Sequence, residues 1–443
     1  MNNSPIFHSV TLETQKCKGC TTCIDSCPTE AIRVSDGKAR IIKNRCIDCG
    51  ECIRICPSHA KQAIGDSLSD LKEYDYTVAI PAPSLYAQFS RLTPIKKILQ
   101  GLLNLGFNEV FEVAQGADIT STYINMILKD KKRIRPLISS SCPACVRLIQ
   151  VKFPTLIPNI IPIESPMEIS ARLIRLRHKE IPPSKLGIFF ISPCPAKITG
   201  VKAPLGTDLS AVSKVIPIND IYLPLLNEIK KISECDIALS SCAKGVAWSI
   251  RDGESESIKA QNCLSADGIH HVSNLLEKIE NGKVKNMDYI EIDACPGGCV
   301  GGPLTVEDPH IARMRILYHI RSEYKNNKTL KAKSTLEQAN ITKKDLKQLF
   351  SWSHVIEPRE VLRLADSFNE AMEKLTSIDK LITKLPGLDC GACGAPTCHA
   401  LAEDIVQGHG ELNNCIFILK DKIKDLTQEL KRLEKKIEKQ QHQ

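Results

Sequence analysis

The chain has 443 residues, of which 42% are hydrophobic and 25% charged, as in a soluble globular protein with more than one domain. Its formal charge of +8 invites a nucleic-acid partner, but an aromatic content of only 5% argues against base-stacking surfaces. Its 20 cysteines, and an N-terminus without the basic and apolar segments of a secretory signal, predict a cytoplasmic protein whose cysteines bind metal. The longest apolar runs are too short for a bilayer, so no membrane partner is expected.

Five segments follow one another along the chain. Residues 1–66 hold eight cysteines between short strand-like pieces. Over residues 74–310, apolar runs such as "YTVAI" and "LGIFFIS" alternate with helix-like segments, which predicts an α/β domain. Residues 311–380 are predicted to form a helical connector, residues 381–415 a second [4Fe–4S] domain rich in cysteine, and residues 416–443 a basic coiled-coil helix. The sequence therefore predicts an α+β multidomain protein, and it lacks the glycine motifs of dinucleotide and NTP sites.

Two copies of the pattern C-x2-C-x2-C-x3-C-P, "CKGCTTCIDSCP" and "CIDCGECIRICP", dominate the first segment. In this pattern three closely spaced thiolates hold one [4Fe–4S] cluster and the fourth crosses to the other. The predicted ligands are Cys17, Cys20, Cys23 and Cys56 for one cluster and Cys46, Cys49, Cys52 and Cys27 for the second. Zinc is the alternative, but two complete runs in tandem favour a bacterial-type ferredoxin domain that carries electrons.

Three cysteine loops follow predicted strands of the α/β domain, at the edge where such sheets place their sites. They read "SSSCP", "SPCPAK" and "DACPGGCVGG". Together they offer four cysteines, Cys142, Cys194, Cys295 and Cys299. Four thiolates from three loops suit a buried cubane cluster better than zinc, whose ligands usually come from two C-x-x-C knuckles.

The three loops resemble the signature loops of the iron-only (FeFe) hydrogenases, whose usual forms are T-S-C-C-P, M-P-C-x-x-K and E-x-M-A-C-x-x-G-C. The resemblance covers about residues 1–310, and the joint occurrence of the loops is highly specific. It implies an α/β H-cluster domain in which the four cysteines hold a [4Fe–4S] cluster. By the same match Cys299 bridges to a diiron unit that carries CO, cyanide and a dithiolate. The implied activity is the reversible splitting of H2 into protons and electrons.

The resemblance also implies a pocket around the diiron unit. Lys197 would donate to a cyanide, Ala82, Pro83 and Ser84 ("APS") would line the opposite side, and Pro193 would contribute to the same pocket. A cyanide on iron is a strong acceptor, which suits a fixed ammonium and nearby donors. For the lysine alone a surface position is the alternative, but it follows a predicted ligand by only three residues.

The chain departs from the usual hydrogenase pattern along the proton route. Ser141 replaces the first cysteine of T-S-C-C-P, and a hydroxyl is far less acidic than a thiol, whose pKa is about 8.5. Tyr123 and Ile124 stand where acidic residues of the proton path are usual, and Ser192 and Asp293 replace methionines around the diiron unit. These changes resemble the sensory hydrogenases, which bind hydrogen and turn over slowly.

The segment "CGACGAPTC" and a later cysteine give the spacing C-x2-C-x4-C-x16-C. The predicted ligands are Cys390, Cys393, Cys398 and Cys415. The spacing resembles a small [4Fe–4S] domain of some sensory hydrogenases and electron-transfer subunits, and zinc is the alternative. The cysteines left unassigned, Cys145, Cys235, Cys242 and Cys263, are expected to be small buried hydrophobes.

The tail carries apolar residues at the alternating three- and four-residue spacing of a coiled coil. They are Ile416, Leu419, Ile423, Leu426, Leu430, Leu433 and Ile437. A homodimer through this helix, or a docking site for a signalling partner, is the favoured interpretation. A single amphipathic helix packed on the protein's own surface is the alternative.

The sequence as a whole predicts an FeFe hydrogenase of the sensory type. Its expected partners are H2, protons, and a redox partner such as ferredoxin or a signalling protein. One alternative is a conventional ferredoxin-linked catalytic hydrogenase with an atypical proton path. The other is a non-enzymatic, hydrogenase-like iron–sulfur assembly protein that lacks the diiron unit.

Overall fold

The computed structural model describes residues 7–324, 349–361 and 363–441. The chain forms two compact units, each assembled from separate segments. The first unit comprises Met1–Thr11, Ile47–Arg54 and Gln62–Arg359, and the second comprises Leu12–Cys46, Ile55–Lys61 and Glu360–Gln443. The predicted ferredoxin segment 1–66 contributes residues to both units, and the domain boundaries expected from the sequence stay a prediction.

The strands and helices alternate through most of the chain. The strands are β1 (Val10–Leu12), β2 (Ile32–Ser35), β3 (Lys38–Ile41), β4 (Lys61–Ala63), β5 (Tyr76–Pro81), β6 (Glu109–Val110), β7 (Leu137–Ile138), β8 (Leu186–Ser192), β9 (Lys214–Pro217), β10 (Cys263–Asp267) and β11 (Tyr289–Asp293). The α-helices are α1 (Thr22–Asp25), α2 (Glu51–Arg54), α3 (Ile95–Asn104), α4 (Val113–Ile127), α5 (Pro143–Lys152), α6 (Pro166–Arg177), α7 (Pro195–Lys202), α8 (Ile218–Lys231), α9 (Ala243–Ala247), α10 (Gly253–Ser257), α11 (Ile269–Glu280), α12 (Pro309–Glu323), α13 (Phe368–Ile382), α14 (Cys398–Val406) and α15 (Ile416–Gln441). Short 3-10 helices cover Lys43–Arg45, Leu68–Glu73, Pro83–Gln88, Pro154–Asn159, Cys299–Gly301 and Leu412–Asn414.

Two parallel sheets form the frame of the first unit. One has the strand order β6-β5-β8-β9 and the other the order β10-β11-β7. Strand β8, "LGIFFIS", is buried along its whole length. A parallel sheet covered on both faces requires such a continuous apolar run, because helices pack against each side. The predicted α/β character of this region is confirmed.

Helices cover the sheets with apolar faces. In one core cluster Phe189 of β8 packs with residues of α3 and α8, including Leu102 and Leu225. Ile316 of α12 belongs to the same cluster, so the start of the predicted connector 311–380 is part of the first unit's core. The rest of that prediction falls partly on residues 325–348 and 362, which lie outside the described residues.

The second unit contains an antiparallel β2–β3 hairpin and the helices α13, α14 and α15. Helices α13 and α14 share a small apolar cluster that includes Ile378 and Leu401. Most described side chains of helix α15 are exposed, whereas Ile418 is half-buried and packs against that cluster. Among the described residues, the structure contains no helix that is both long enough and apolar enough to cross a membrane.

Candidate functional site: a thiolate-lined cavity at the strand ends

A cavity of about 890 Å³ in the first unit, called the central cavity below, gathers the cysteines of the three loops. The cysteines that line it are Cys142, Cys194, Cys295 and Cys299, with Cys49 at its edge. The structure therefore brings together the four cysteines that the sequence assigned to one cluster.

The Cys-Pro pairs explain how two of these thiols reach the cavity. Cys142 follows the segment after β7 and caps α5, whose first residue is Pro143. Cys194 follows β8 in the same way and caps α7, whose first residue is Pro195. Proline is favoured at the first helical position because its fixed φ suits a helix start and its missing N–H is not needed there. Each thiol is thus held at a helix N-terminus, where partial positive charge favours a thiolate.

The third loop follows β11 and reaches the cavity through a glycine turn. Gly298 has φ +91°, and a Cβ atom there would lie 2.9 Å from the Cα atom of Ile250. Only glycine tolerates both the backbone angle and this approach. The turn allows Cys295 and Cys299 to line the same cavity although four positions separate them.

Burial raises the pKa of three of these four thiols. It raises the pKa of Cys194 to about 11, and it raises the pKa values of Cys295 and Cys299 well above the usual range. Desolvation disfavours a thiolate unless an opposite charge compensates it. A metal cluster supplies that charge and deprotonates a coordinating thiol. The donor set therefore fits a thiolate-bound cluster.

Cys145 differs from the expected inert hydrophobe. Its thiol donates a hydrogen bond to Cys142, and this bond lowers the pKa of Cys142 to about 6. Burial keeps the pKa of Cys145 itself well above the usual range, so it retains its proton. A protonated thiol next to a ligand sulfur stabilises the thiolate form of that ligand.

The five residues assigned to the diiron pocket also line the central cavity. They are Ala82, Pro83, Ser84, Pro193 and Lys197. The ammonium of Lys197 donates to the carbonyl oxygen of Ser141 at 3.1 Å, and an ammonium has three donors.

The hydroxyl of Ser84 provides a separate indication of a bound group. This hydroxyl is fully buried and has no hydrogen-bond partner among the described residues. A buried unpaired hydroxyl is costly unless a bound group accepts from it. The residues present thus fit a large group with acceptor atoms in this cavity.

A buried carboxylate stands next to Ser141. The Ser141 hydroxyl donates to Oε2 of Glu254 at 3.0 Å, the Ser139 hydroxyl lies 2.9 Å from both carboxylate oxygens, and the Tyr289 hydroxyl donates to Oε1 at 2.5 Å. Burial raises the pKa of Glu254 above its usual value. Glu254 and Ser141 both line the central cavity.

Further acidic residues follow along β11. Tyr289, Glu291 and Asp293 occupy alternate positions and therefore face the same side of the strand. Burial raises the pKa of Glu291 to about 7 and raises that of Asp293 well above its usual range. The carboxylate of Glu291 accepts from the backbone N–H of Ser255 at 2.7 Å. One side of the cavity is thus lined by weakly acidic carboxyl groups.

Glu254 and Glu291 are not among the site residues predicted from the sequence. The alternation of acidic and apolar residues in "YIEID" is a signal for Glu291, because a buried strand rarely carries charge without a function. Glu254 has no such local signal in "DGESESI". Tyr123 and Ile124 stand where the resemblance led us to expect acidic residues. Ile124 is fully buried, and the Tyr123 hydroxyl lies 3.1 Å from the Ser351 hydroxyl.

Two smaller cavities in the second unit are lined by two further predicted ligand sets, that of the first ferredoxin cluster and that of the C-terminal cluster. The first-cluster cavity, of about 330 Å³, is lined by Cys17, Cys20, Cys23 and Cys56. The C-terminal cavity, of about 290 Å³, is lined by Cys390, Cys393, Cys398 and Cys415. Each brings together four thiols that the spacing assigned to one cluster, and in both the donor set fits a cubane. The set Cys27, Cys46, Cys49 and Cys52 is divided between the two units and stays a prediction from the spacing.

The other unassigned cysteines, expected to be small buried hydrophobes, differ from that expectation in burial or in hydrogen bonding. Cys242 is buried, but its thiol donates to Oδ1 of Asp118 at 2.7 Å. Burial raises the pKa of Asp118 to about 6. Cys235 and Cys263 are half-buried.

The fold and the cavity together define an α/β protein with a cysteine-lined cofactor site and separate iron–sulfur segments. Comparison with known families gives the class. The family model described as iron only hydrogenase large subunit, C-terminal domain, matches residues 75–223 and 225–303. A model of a 4Fe-4S dicluster domain matches residues 9–57, and a model of an Fe-S cluster domain matches residues 385–417. The first match spans slightly more than half of the chain, and the chain belongs to the iron-only hydrogenase family.

Individual relatives agree with this assignment. The chain is 30% identical over 213 residues to the periplasmic [Fe] hydrogenase large subunit of Nitratidesulfovibrio vulgaris, a stretch that is 43% of this chain and 51% of that one. It is 23% identical over 312 residues to iron hydrogenase 1 of Clostridium pasteurianum, with 55% and 54% covered. The chain thus spans about half the length of these curated relatives. One of them is named periplasmic, and the cytoplasmic location of this chain stays a prediction.

Solved structures show the same fold. The apo form of HydA1, an [FeFe]-hydrogenase from Chlamydomonas reinhardtii, aligns with a TM-score of 0.52 at 18% identity, over 66% of this chain and 99% of that one. The HydA(deltaEFG) structure, described as a step of H-cluster assembly, aligns with a TM-score of 0.51 at 18% identity, over 65% and 97%.

Proposed function

We propose that the chain is a slow, hydrogen-sensing FeFe hydrogenase that reversibly splits H2 into protons and electrons. The observation that carries the proposal is the central cavity, which combines four thiols from three strand ends with Lys197 and the unpaired hydroxyl of Ser84. An assembly protein that holds only a cubane has no use for the last two groups. They therefore favour a hydrogenase site over the assembly alternative.

The H-cluster is the proposed cofactor, with Cys142, Cys194, Cys295 and Cys299 as ligands of its cubane. Cys299 would also bridge to the diiron subsite, which when bound supplies the two-electron chemistry of dihydrogen. Lys197 and Ser84 would donate hydrogen bonds to the cyanide ligands, while Pro83 and Pro193 would exclude water from the same pocket.

The proposed proton route runs from Ser141 to Glu254. When the Ser141 hydroxyl gives up its own proton toward the cavity, a proton on the carboxyl of Glu254 can replace it across their 3.0 Å contact, and the raised pKa of Glu254 lets it hold that proton closer to neutral pH. The hydroxyl of Ser141 is a poorer proton carrier than a thiol, because its own acidity is far lower. This weak link is the physical reason for the proposed low turnover.

Electrons would pass through [4Fe–4S] clusters to a partner such as ferredoxin or a signalling protein. Support comes from Cys49, a predicted ligand of the second ferredoxin cluster, which lines the central cavity. The neighbouring Arg54 donates to the carbonyl oxygen of Gly301 at 2.8 Å, so the segment Ile47–Arg54 contacts the third cysteine loop.

We propose that α15 forms a parallel two-stranded coiled coil with a second copy. All seven apolar residues of its stripe are exposed: Ile416, Leu419, Ile423, Leu426, Leu430, Leu433 and Ile437. In heptad terms the a positions hold three isoleucines and one leucine, and the d positions hold only leucine. This combination favours parallel dimers over higher oligomers.

A turnover assay on protein matured with the diiron cofactor tests the proposal. The expected result is H2 evolution and oxidation at rates well below those of a prototypical hydrogenase measured side by side, with activity lost in Cys299→Ala. Equal rates would instead favour the conventional enzyme, for which the Glu254 carboxylate would be an efficient proton path. Absence of any activity at full cofactor loading would overturn the hydrogenase proposal.

A further inference from the structure

Strand β2 lines the first-cluster cavity of the second unit and contacts the loop that carries the C-terminal cavity. Val34 of β2 lines the first-cluster cavity, and its backbone N–H donates to the carbonyl oxygen of Gly394 at 2.9 Å. Gly394 directly follows Cys393, a residue of the C-terminal cavity. Val34 thus lines one cavity and bonds to the loop that carries the other.

Glycine makes this approach possible. Gly394 has φ +86°, and a Cβ atom there would lie 1.8 Å from the carbonyl oxygen of Val34. Gly391, which follows Cys390, has φ +68°, and a Cβ atom there would lie 3.0 Å from Oδ1 of Asp25 on α1. Gly394 therefore faces a residue that lines the first-cluster cavity, and Gly391 faces the helix that carries Cys23, another residue of that cavity. A larger residue at position 394 would force the loop and the strand apart.

Two buried ion pairs hold the same surfaces together. Arg33 of β2 donates to both carboxylate oxygens of Asp404 at 2.6 and 3.2 Å, and Arg45 donates to Glu403 at 3.0 Å. The exposed fractions of the four side chains are 7% and 16% for the first pair and 8% and 12% for the second. A buried pair is costly to break because one charge is left uncompensated. These contacts therefore fix the position of α14 against the ferredoxin segment that carries Arg33 and Arg45.

We infer that β2 and the loop at residues 390–394 hold the two clusters of the second unit as electron-exchange neighbours. The C-terminal site is then the outer electron port of the chain and not an isolated structural site. In the exchange one electron leaves a reduced cubane and reduces the other, while no bond is formed and no proton moves. An external one-electron carrier supplies or accepts that electron. This inference extends the proposed electron relay, but it does not depend on the diiron unit.

The physical basis is the dependence of electron tunnelling on distance, since the rate falls exponentially as two centres separate. The hydrogen bond of 2.9 Å between Val34, which lines one cavity, and Gly394, next to a cysteine of the other, keeps the two sites close. The same closeness makes the unpaired spins of two reduced cubanes interact. That interaction is measurable without any enzyme activity.

The test uses the full chain with reconstituted cubanes and without the diiron cofactor, reduced with dithionite and examined by electron paramagnetic resonance. The expected wild-type spectrum contains a component split and broadened by spin–spin interaction that remains in Cys52→Ala, which removes a ligand of the second ferredoxin cluster. In the Cys52→Ala background, Cys398→Ala should abolish that component and sharpen the lines of the remaining first ferredoxin cluster. The matched control, Cys263→Ala, should keep it. Unchanged spectra in Cys398→Ala, or zinc in place of iron at the C-terminal site, would overturn the inference.

A second pair of variants separates docking from cluster loss. Asp404→Arg should remove the split component while iron content stays unchanged, and combining it with Arg33→Asp should restore the component by swapping the charges. Asp421→Arg, the same charge change on the exposed helix α15, should have no effect. Persistence of the component in Asp404→Arg with Arg33 intact would contradict the proposed contact. If Asp404→Arg fails to fold, the Cys398→Ala comparison alone decides. Failure of the hydrogenase proposal would leave all these spectra unchanged, because the samples contain no diiron unit.

Discussion

Replacing Glu254 by glutamine tests the proton route proposed for the central cavity. The carboxylate accepts hydrogen bonds from Ser141, Ser139 and Tyr289, and it stands beside the residue that replaces the usual proton-carrying cysteine. Glutamine has nearly the same shape and keeps one acceptor oxygen for these hydroxyls. However, its amide cannot release and regain a proton at neutral pH. The substitution therefore removes the proton-transfer capacity with little change in packing.

The expected loss can be estimated from the chemistry of such groups. A positioned acid–base residue contributes about 10²- to 10⁴-fold to a rate, and we expect the lower end because the adjacent hydroxyl already limits proton transfer. A loss of about 100-fold corresponds to about 2.7 kcal/mol in activation free energy. The cost in stability should be about 1 kcal/mol, since one acceptor is lost among three donors.

The assay is H2 evolution and H2 oxidation by anaerobic, fully matured protein, with cofactor loading measured on the same samples. Glu256→Gln is the matched control, because Glu256 lies two positions away on α10 and is exposed. Both rates should fall in Glu254→Gln and remain unchanged in the control. Unchanged turnover in fully loaded Glu254→Gln would refute the proposed route.

Three other changes test separate parts of the account. Ser141→Cys should raise H2 evolution at neutral pH, because a thiol exchanges protons more readily than a hydroxyl; an unchanged rate in fully matured protein would show that proton delivery is not limiting. Through the carboxyl of Asp118, the wild type should lose about 1.4 kcal/mol of its free energy of unfolding between pH 5 and pH 7.5, and Asp118→Asn should not show this loss; chemical denaturation measures both. The sign follows from the pKa of Asp118, which burial raises to about 6. A folded protein that holds a carboxyl with a raised pKa becomes less stable as pH rises toward that value; equal pH dependence in the wild type and the variant would contradict it. Leu426→Asp should convert a dimer into a monomer in light-scattering measurements, whereas a monomeric wild type would refute the coiled-coil dimer.

The central site was largely predictable because its signals are local. A cysteine followed by proline after an apolar strand predicts both a strand end and a helix start, and Cys142 and Cys194 occupy such positions. The resemblance of the loops supplied the remaining pocket residues, including Lys197 and Ser84. Their presence around one cavity follows from the parallel sheets, whose carboxyl ends carry all three loops.

The contacts that the sequence did not indicate are those between distant segments. Glu254 becomes buried only because strand β11 and the loop at Ser139 close over it, and its local sequence resembles any polar turn. The pairing of Arg33 with Asp404 joins residues 371 positions apart, so neither spacing nor periodicity could indicate it. Cys145 is an intermediate case, because its distance of three residues from Cys142 suggested proximity without revealing the hydrogen bond between them.

The central claim is that the central cavity binds an H-cluster with a diiron subsite. Infrared spectroscopy of the matured full chain tests it most directly, because CO and cyanide bound to iron absorb in a region free of protein bands. The account predicts both sets of bands in the wild type, their loss in Cys299→Ala, and their retention in Cys263→Ala. A matured protein that contains all its cubanes but shows no such bands would contradict the claim.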